Sequence, residues 1–240
     1  EVLLRRSRQL LKQAGQLEEL AHQMELGWEA EVRLVIDAAF PTGRIARALT
    51  DFMPKSRGCR VRLREEVLSG VVDVLREGTA DLAISSLEIP GYLGTDLGTV
   101  EFVAVAHPEH PLHQLRRDLT SQDLENQLQI VIRDSGRSQP MDVGWLGAEQ
   151  RWTVSSMATA ALFVRRGLGF AWLPRPLIAR ELHEGHLKEL PLPQGGIHRP
   201  RFRLYANKDK PLGPATQILV ESITTFAGSD PDETCPETTT

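Results

Sequence analysis

Residues 154–174, VSSMATAALFVRRGLGFAWLP, read as a strand end, a hydroxyl-bearing turn, a helix, a glycine stop and a second strand. Either Ser155 or Ser156 can cap the helix, because a short side-chain oxygen accepts a hydrogen bond from the free amides of the first turn. Met157, Ala160, Ala161, Val164 and Leu168 then recur at three- and four-residue steps and give one apolar face. Arg165 and Arg166 fall in the last turn, where cations complement the negative end of the helix dipole, and Gly167 can take the left-handed conformation that ends a helix. Phe170-Ala171-Trp172-Leu173 has the length and bulk of a buried strand, closed by Pro174. The amides near Ser156 and Met157 could receive a polar or anionic group of a ligand. An ordinary strand-helix-strand module whose serines merely cap would carry the same pattern.

Around this unit the chain is large enough for a substantial core: 240 residues, 41% of them apolar, suffice for one large domain or two small ones. A net charge of −4 argues against a broad basic face of this chain gripping nucleic acid, since phosphate neutralisation needs clustered Lys and Arg. Cys59 and Cys235 make neither a disulfide framework nor a metal knuckle, which fits a reducing cytoplasm better than secretion. No apolar run approaches the length of a membrane span, and Arg5, Arg6 and Arg8 near the start do not resemble a signal-peptide core. The chain opens on Glu1 inside a helical pattern, which suggests a fragment of something longer.

Residues 1–27 are patterned as a helix, with Leu3, Leu10, Leu17 and Met24 every seven residues and small Ser7, Ala14 and Ala21 beside the first three. Such a helix either packs on its own domain or pairs with a second copy, and the seven-residue period favours pairing. Residues 32–39 read as a strand, 44–53 as a helix, 59–65 as a half-buried strand with Val61 and Leu63 inward, 67–77 as a helix and 80–85 as a third strand. Two strand-helix-strand crossovers in succession imply a parallel sheet with helices on its faces. A further strand at 101–106, a Pro-punctuated HPEHPLH, a short helix at 119–124 and a strand at 128–132 lead back to the opening unit. After it come a helix at 175–184, a strand at 202–206, an amphipathic helix at 213–227 and a polar tail without apolar periodicity, read as disordered.

Taken in order, REGTADLAIS (76–85), VAHPEHPL (105–112) and RRGLGFAWLP (165–174) resemble three segments of the LysR-type transcriptional regulators, in their effector-binding portion with its linker helix. The resemblance covers residues 1–227. It implies a type II periplasmic-binding-protein-like α/β fold, two Rossmann-like subdomains joined by two crossover strands and preceded by the linker helix. The implied division is a linker and dimerisation helix at 1–30, subdomain I at 31–106 and 207–227, subdomain II at 107–206, and a tail at 228–240. The crossovers would lie near 106–111 and 205–208. An effector would bind between the subdomains, and the winged helix-turn-helix that reads DNA in such regulators would lie upstream of this chain. A homodimer, extendable to a tetramer, is the implied assembly.

Carried over by position, the implied effector pocket comes from four turns at strand ends, where open α/β sheets collect ligands. These give Asp37, Ala39, Phe40 and Thr42; Leu68 and Ser69; Arg133 and Ser135, with Asp134 between them; and Ser156 and Met157. Asp37 and the apolar Leu68 depart from the hydroxyl-rich pattern commoner in the family, which argues against a simple carboxylate effector. An aspartate at the end of an apolar strand is costly if buried unpaired. Asp37 is therefore expected to meet a cationic group of an amino-acid-like or amine-bearing effector, with Arg133 or the amides near Ser156 holding an anionic one. The competing reading pairs Asp37 with an internal arginine or leaves it solvated.

Catalysis finds little support in the residues. His107, His110 and His113 sit among prolines rather than on a regular element, as a crossover turn rather than a metal site. His183-Glu184-Gly185-His186 lacks the spacing of a zinc helix, and Ser135 lacks a GxSxG elbow. No dinucleotide fingerprint or phosphate loop is present, so no cofactor is expected. The alternatives are a transport-type solute-binding protein of the same fold, or an enzyme built on it.

Overall fold

The computed structural model describes residues 6, 7, 11 and 27–228. The seven-residue seam, apart from isolated helical positions at Arg6, Ser7 and Leu11, and the tail from 229 with Cys235 lie outside the described residues.

The first lobe is a five-stranded sheet in the order β2-β1-β3-β11-β4, in which β4 is Gly94–Thr99 and β11 is Arg201–Ala206. β1 (Glu31–Asp37) pairs in parallel with β2 (Arg60–Glu66) on one side and β3 (Leu82–Ser85) on the other. Its Val32, Leu34, Val35 and Ile36 are buried on both faces, as a central parallel strand requires. On one face lie α1 (Thr42–Phe52), which buries Ile45, Ala48 and Phe52, and α7 (Pro214–Phe226), which buries Ala215, Leu219 and Ile223. These two helices are also tied by the Ser222 hydroxyl, which donates to Asp51 at 2.7 Å. On the other face α2 (Ser69–Arg76) packs Val71, Val74 and Leu75 against Val35, Ala83 and Tyr205.

β2 corrects one expectation. Leu63 is 41% exposed rather than inward, because β2 ends the sheet and has a neighbour on one side only. Arg60, Arg62 and Arg64 alternate along it, and such charges discourage further strand pairing at an open edge.

The second lobe is a sheet in the order β10-β5-β8-β6-β7, in which β10 is Ile197–His198, with β9 (Lys188–Glu189) also on β5. β6 (Gln129–Ile132) and β7 (Arg151–Val154) are parallel, whereas β5 (Phe102–Ala106) and β8 (Phe170–Pro174) run antiparallel. The 154–174 unit folds as its pattern predicts: α5 (Met157–Arg165) joins β7 to β8, and Gly167 takes φ +78° at the helix end. Ala160 and Val164 of α5 pack on Val103, Ile130 and Leu173. The opposite face of the sheet carries α3 (Pro111–Gln114) and α4 (Ser121–Glu125), through Leu112 and Leu124 against Phe170.

The chain changes lobe between β4 (Gly94–Thr99) and β5, and again between β10 (Ile197–His198) and β11 (Arg201–Ala206). Both crossovers therefore precede the expected positions, and the boundaries drawn at 106 and 206 move to residues 100–101 and 199–200. β5 pairs with β8 along its length and belongs to the second sheet; β11 pairs with β3 and β4 and belongs to the first. The HPEHPLH segment lies wholly in the second lobe, where the His107 and His110 Nδ1 atoms accept the amides of Glu109 at 3.2 Å and Leu112 at 3.3 Å. The helix expected over 175–184 is split into a 3-10 turn (Arg175–Leu177) and α6 (Ala179–His183).

At the two crossovers the Val100 amide donates to the Pro200 carbonyl at 3.1 Å. Glu101 pairs with Arg199 on the opposite crossover and with Arg175 of the second lobe at 2.6 Å; Arg175 also holds Glu189 at 2.8 Å. Where the chain enters the first lobe, the Trp28 indole donates to the Ser56 carbonyl at 3.0 Å and its ring lies 4.5 Å from the Arg57 guanidinium. The Glu29 carboxylate accepts the Ala215 and Thr216 amides at 2.9 and 3.1 Å, a negative charge on the positive end of α7.

Candidate functional site

The C-terminal ends of β1, β2, β6 and β7 face one another across the gap between the lobes. From the first lobe comes Asp37, 2% exposed, whose carboxylate accepts the Ala39 amide at 3.0 Å and the Ser86 hydroxyl at 3.0 Å, with the Leu68 amide also bonded to it. Among the described residues no cation pairs with it. Burial pushes its pKa up to about 6; the two amides and the hydroxyl oppose the shift, and the negative charge of Asp134 adds to it.

Leu68 takes φ 48° and ψ −114°, a sparsely populated conformation for a residue with a side chain. That strained turn starts α2 and presents the Leu68 amide to Asp37.

The lobes touch through hydroxyls and carboxylates. Ser69 donates to Asp134 at 2.6 Å, and the Asp134 carboxylate also takes the amides of Gly136 at 2.8 Å and Met141 at 2.7 Å. In the reverse direction Ser135 bonds to Glu66 and accepts the Val67 amide at 2.8 Å. Asp73 of α2 accepts the Arg137 and Ser138 amides at 2.7 and 3.1 Å. This approach requires glycines: a Cβ on Gly70 would stand 2.0 Å from Ser135 Oγ, and one on Gly136 1.9 Å from Ser69 Oγ.

Asp37, Leu68, Ser69 and Ser135 are thus gathered at the lobe junction. Ala39 and Phe40 are buried instead in the first lobe's apolar core, where Phe40 packs on Phe202 with centroids 5.4 Å apart. Thr42 is exposed at the start of α1. Ser156 occupies the N-cap of α5 without a side-chain capping bond, which leaves its hydroxyl outside the role expected of it. Met157 is buried and joins the first lobe's apolar cluster, as does the partly buried Ile132. Arg133 is exposed beside the junction, and its amide extends the β6–β7 ladder to the Val154 carbonyl at 2.8 Å. Glu66, Asp73 and Ser86 were not singled out by sequence. The Asp134-Ser135-Gly136 turn was a usable signal, because an aspartate two residues before a glycine commonly accepts that glycine's amide.

Two α/β lobes joined by two crossovers, with strand-end turns meeting in the gap, define a type II periplasmic-binding-protein-like fold. The family described as the LysR substrate binding domain matches residues 26–227, and the chain belongs to that family. It is 31% identical over 195 residues to the probable HTH-type transcriptional regulator YhaJ of Escherichia coli K12, covering 78% of this chain and 64% of that protein. It is 29% identical over 196 residues to the HTH-type transcriptional regulator YeeY of the same organism, covering 79% and 63%. The chain therefore spans just under two thirds of these relatives. Among solved structures it is similar to CrgA, a LysR-type transcriptional regulator from Neisseria meningitidis, with TM-score 0.66, 16% identity and coverage of 94% of this chain and 78% of that one. It is also similar to full-length LysG from Corynebacterium glutamicum with bound effector Arg, with TM-score 0.63, 20% identity and coverage of 95% and 77%. At these identities the likeness is one of fold. Among the described residues no helix is long and apolar enough to cross a membrane.

Proposed function

We propose that this chain is the effector-sensing module of a LysR-type transcriptional regulator, working by binding rather than catalysis in the cytoplasm. The observation that carries the reading is Asp37, a buried carboxylate without a paired cation among the described residues, placed where the two lobes meet. A ligand's ammonium group would satisfy that charge, and Arg133 or the uncapped amides at the start of α5 would take an anionic group at its other end. Such a ligand is amino-acid-like or otherwise amine-bearing. LysG, of the same fold, has a structure with bound effector Arg.

A ligand that prefers one closure of the lobes shifts the population toward it, and the closure is what the rest of the regulator would read. A homodimer built on the N-terminal seven-residue repeat, extendable to a tetramer, completes the arrangement. DNA would be contacted through a helix-turn-helix part, for which the relatives are named.

The test is a thermal-shift screen of the 240-residue chain with amino acids, amines and small aromatic acids, followed by titration of each hit against Asp37→Asn and Asp37→Ala. An amine-bearing compound should raise the unfolding midpoint of the parent chain and lose most of that effect in both variants. A hit whose affinity is unchanged in Asp37→Ala removes Asp37 from the site.

A further inference from the structure

β6 and β7 are parallel neighbours, with Gln129 opposite Arg151 and Val131 opposite Thr153, so the chain between them must cross one face of the sheet. A helix usually makes that passage and covers the face. Residues 133–150 contain no helix, and the strap they form leaves part of the face bare. Ile130, Ile132 and Val154 point to the α5 side, in the lobe's apolar cluster. Val131, Arg133, Arg151 and Thr153, in the alternate register, point the other way.

The strap is anchored rather than loose. Gln129 Nε2 donates to the Trp145 carbonyl at 2.7 Å, the Trp145 ring lies 6.2 Å from that of Phe170, and Asp134 holds the Gly136 and Met141 amides. Between strap and sheet is a groove of about 950 Å³, which Arg64, Glu66 and Leu68 of the first lobe also line. Arg133, Arg137 and Arg151 line it, all exposed and with no ion-pair partner for their side chains among the described residues. Arg64 is neutralised by Glu66, Asp134 is occupied by its three donors, and Asp142 is the one further carboxylate of the lining, so the three arginines leave the groove positive. Met141, Val143 and Leu146 add apolar surface to the lining.

We propose that this groove is a second binding site, separate from the seat at Asp37, for a small anion with an apolar body, of which an aromatic carboxylate is the simplest form. The three arginines outnumber Asp142, and an anion among them relieves the remaining repulsion, while the ring removes Met141 and Val143 from water. Arg133, Leu68 and Ser135 are shared with the lobe junction, whereas Arg151 and Thr153 of β7 are not, and Asp37 is not in the lining. The inference does not rest on the assignment of an effector to the cleft.

Calorimetric titration of the 240-residue chain with 2-naphthoate, uncharged 2-naphthamide and 2-naphthylmethylammonium tests it. The acid should bind about tenfold or more tightly than the amide, the scale of one charge-assisted contact, and the ammonium should give no binding heat. Arg151→Gln should weaken the acid about tenfold, and Thr153→Trp, a large side chain at an exposed position of an edge strand, should block it by filling the floor. Both variants should keep the parent's thermal midpoint, and Asp37→Asn should leave naphthoate affinity unchanged. If Thr153→Trp does not fold, the Arg137→Gln/Arg151→Gln pair decides instead. Equal affinity for acid and amide, no binding at millimolar acid, or affinity indifferent to the groove variants overturns the proposal.

Discussion

Ser69 and Asp134 join the two lobes through a hydroxyl-to-carboxylate hydrogen bond of 2.6 Å, with both side chains buried. Asp134 accepts from three donors that lie close together, the Ser69 hydroxyl and the amides of Gly136 and Met141. Removing it strands all three at once. Asp134→Ala should lower unfolding stability by about 2–4 kcal/mol, whereas Ser69→Ala, which leaves two of the bonds in place, should cost about 1–2 kcal/mol. Urea denaturation of the two variants measures the difference, and equal losses would mean that the loop amides contribute nothing.

Gly136→Ala should hold the lobes apart. Its Cβ would stand 1.9 Å from Ser69 Oγ and 3.0 Å from the Ser69 carbonyl carbon, so moving the hydroxyl does not relieve the whole overlap. The expected readout is a larger radius of gyration by small-angle scattering, only partly reversed when Ser69→Ala is added. An unchanged radius would show that the loop yields rather than the lobe.

The pKa of Asp37 makes stability depend on pH with a definite sign. A carboxyl raised from 3.8 to about 6 by burial keeps its proton longer in the folded chain than in the unfolded one. The folded state then binds more protons between those values, so stability falls as pH rises through that window and levels off above it. The amplitude is on the order of 2–3 kcal/mol for a group buried this deeply. Asp37→Asn should flatten that part of a stability-versus-pH curve, and a slope of opposite sign in the parent would show that a cation reaches Asp37.

Phe40→Ala should cost stability on the scale of a large buried side chain, about 3–5 kcal/mol, because the ring is 2% exposed and packs on Phe202. Thr42→Ala, at an exposed position of the same turn, should change stability by less than about 0.5 kcal/mol. Thermal unfolding of both variants checks this, and a mild Phe40→Ala would argue that the side chain can move out of the core.

The alternation of strands and helices was legible because apolar periodicity switches between two and about three and a half wherever an element changes. β4 was not, since Gly94–Thr99 buries only Leu97 and is otherwise exposed Gly, Thr and Asp. The crossovers were misplaced for a related reason: FVAVA and FRLYA are both apolar strands, and composition does not say which sheet a strand joins. Leu63 was read inward because alternation shows a face but not whether a neighbour covers it. At the junction, Asp37 and Ser69 could be reached from strand ends, whereas Glu66 and Asp73 gained their roles only because the lobes close onto Ser135 and the 137–138 amides.

Glu101 grips Arg199, so the two ribbons that pass between the lobes are riveted to each other as well as to Arg175. Two separate tethers would let the lobes twist, slide and swing independently. Fastened side by side, they are held to bend together, which favours the turning of a door on one pin over independent twisting.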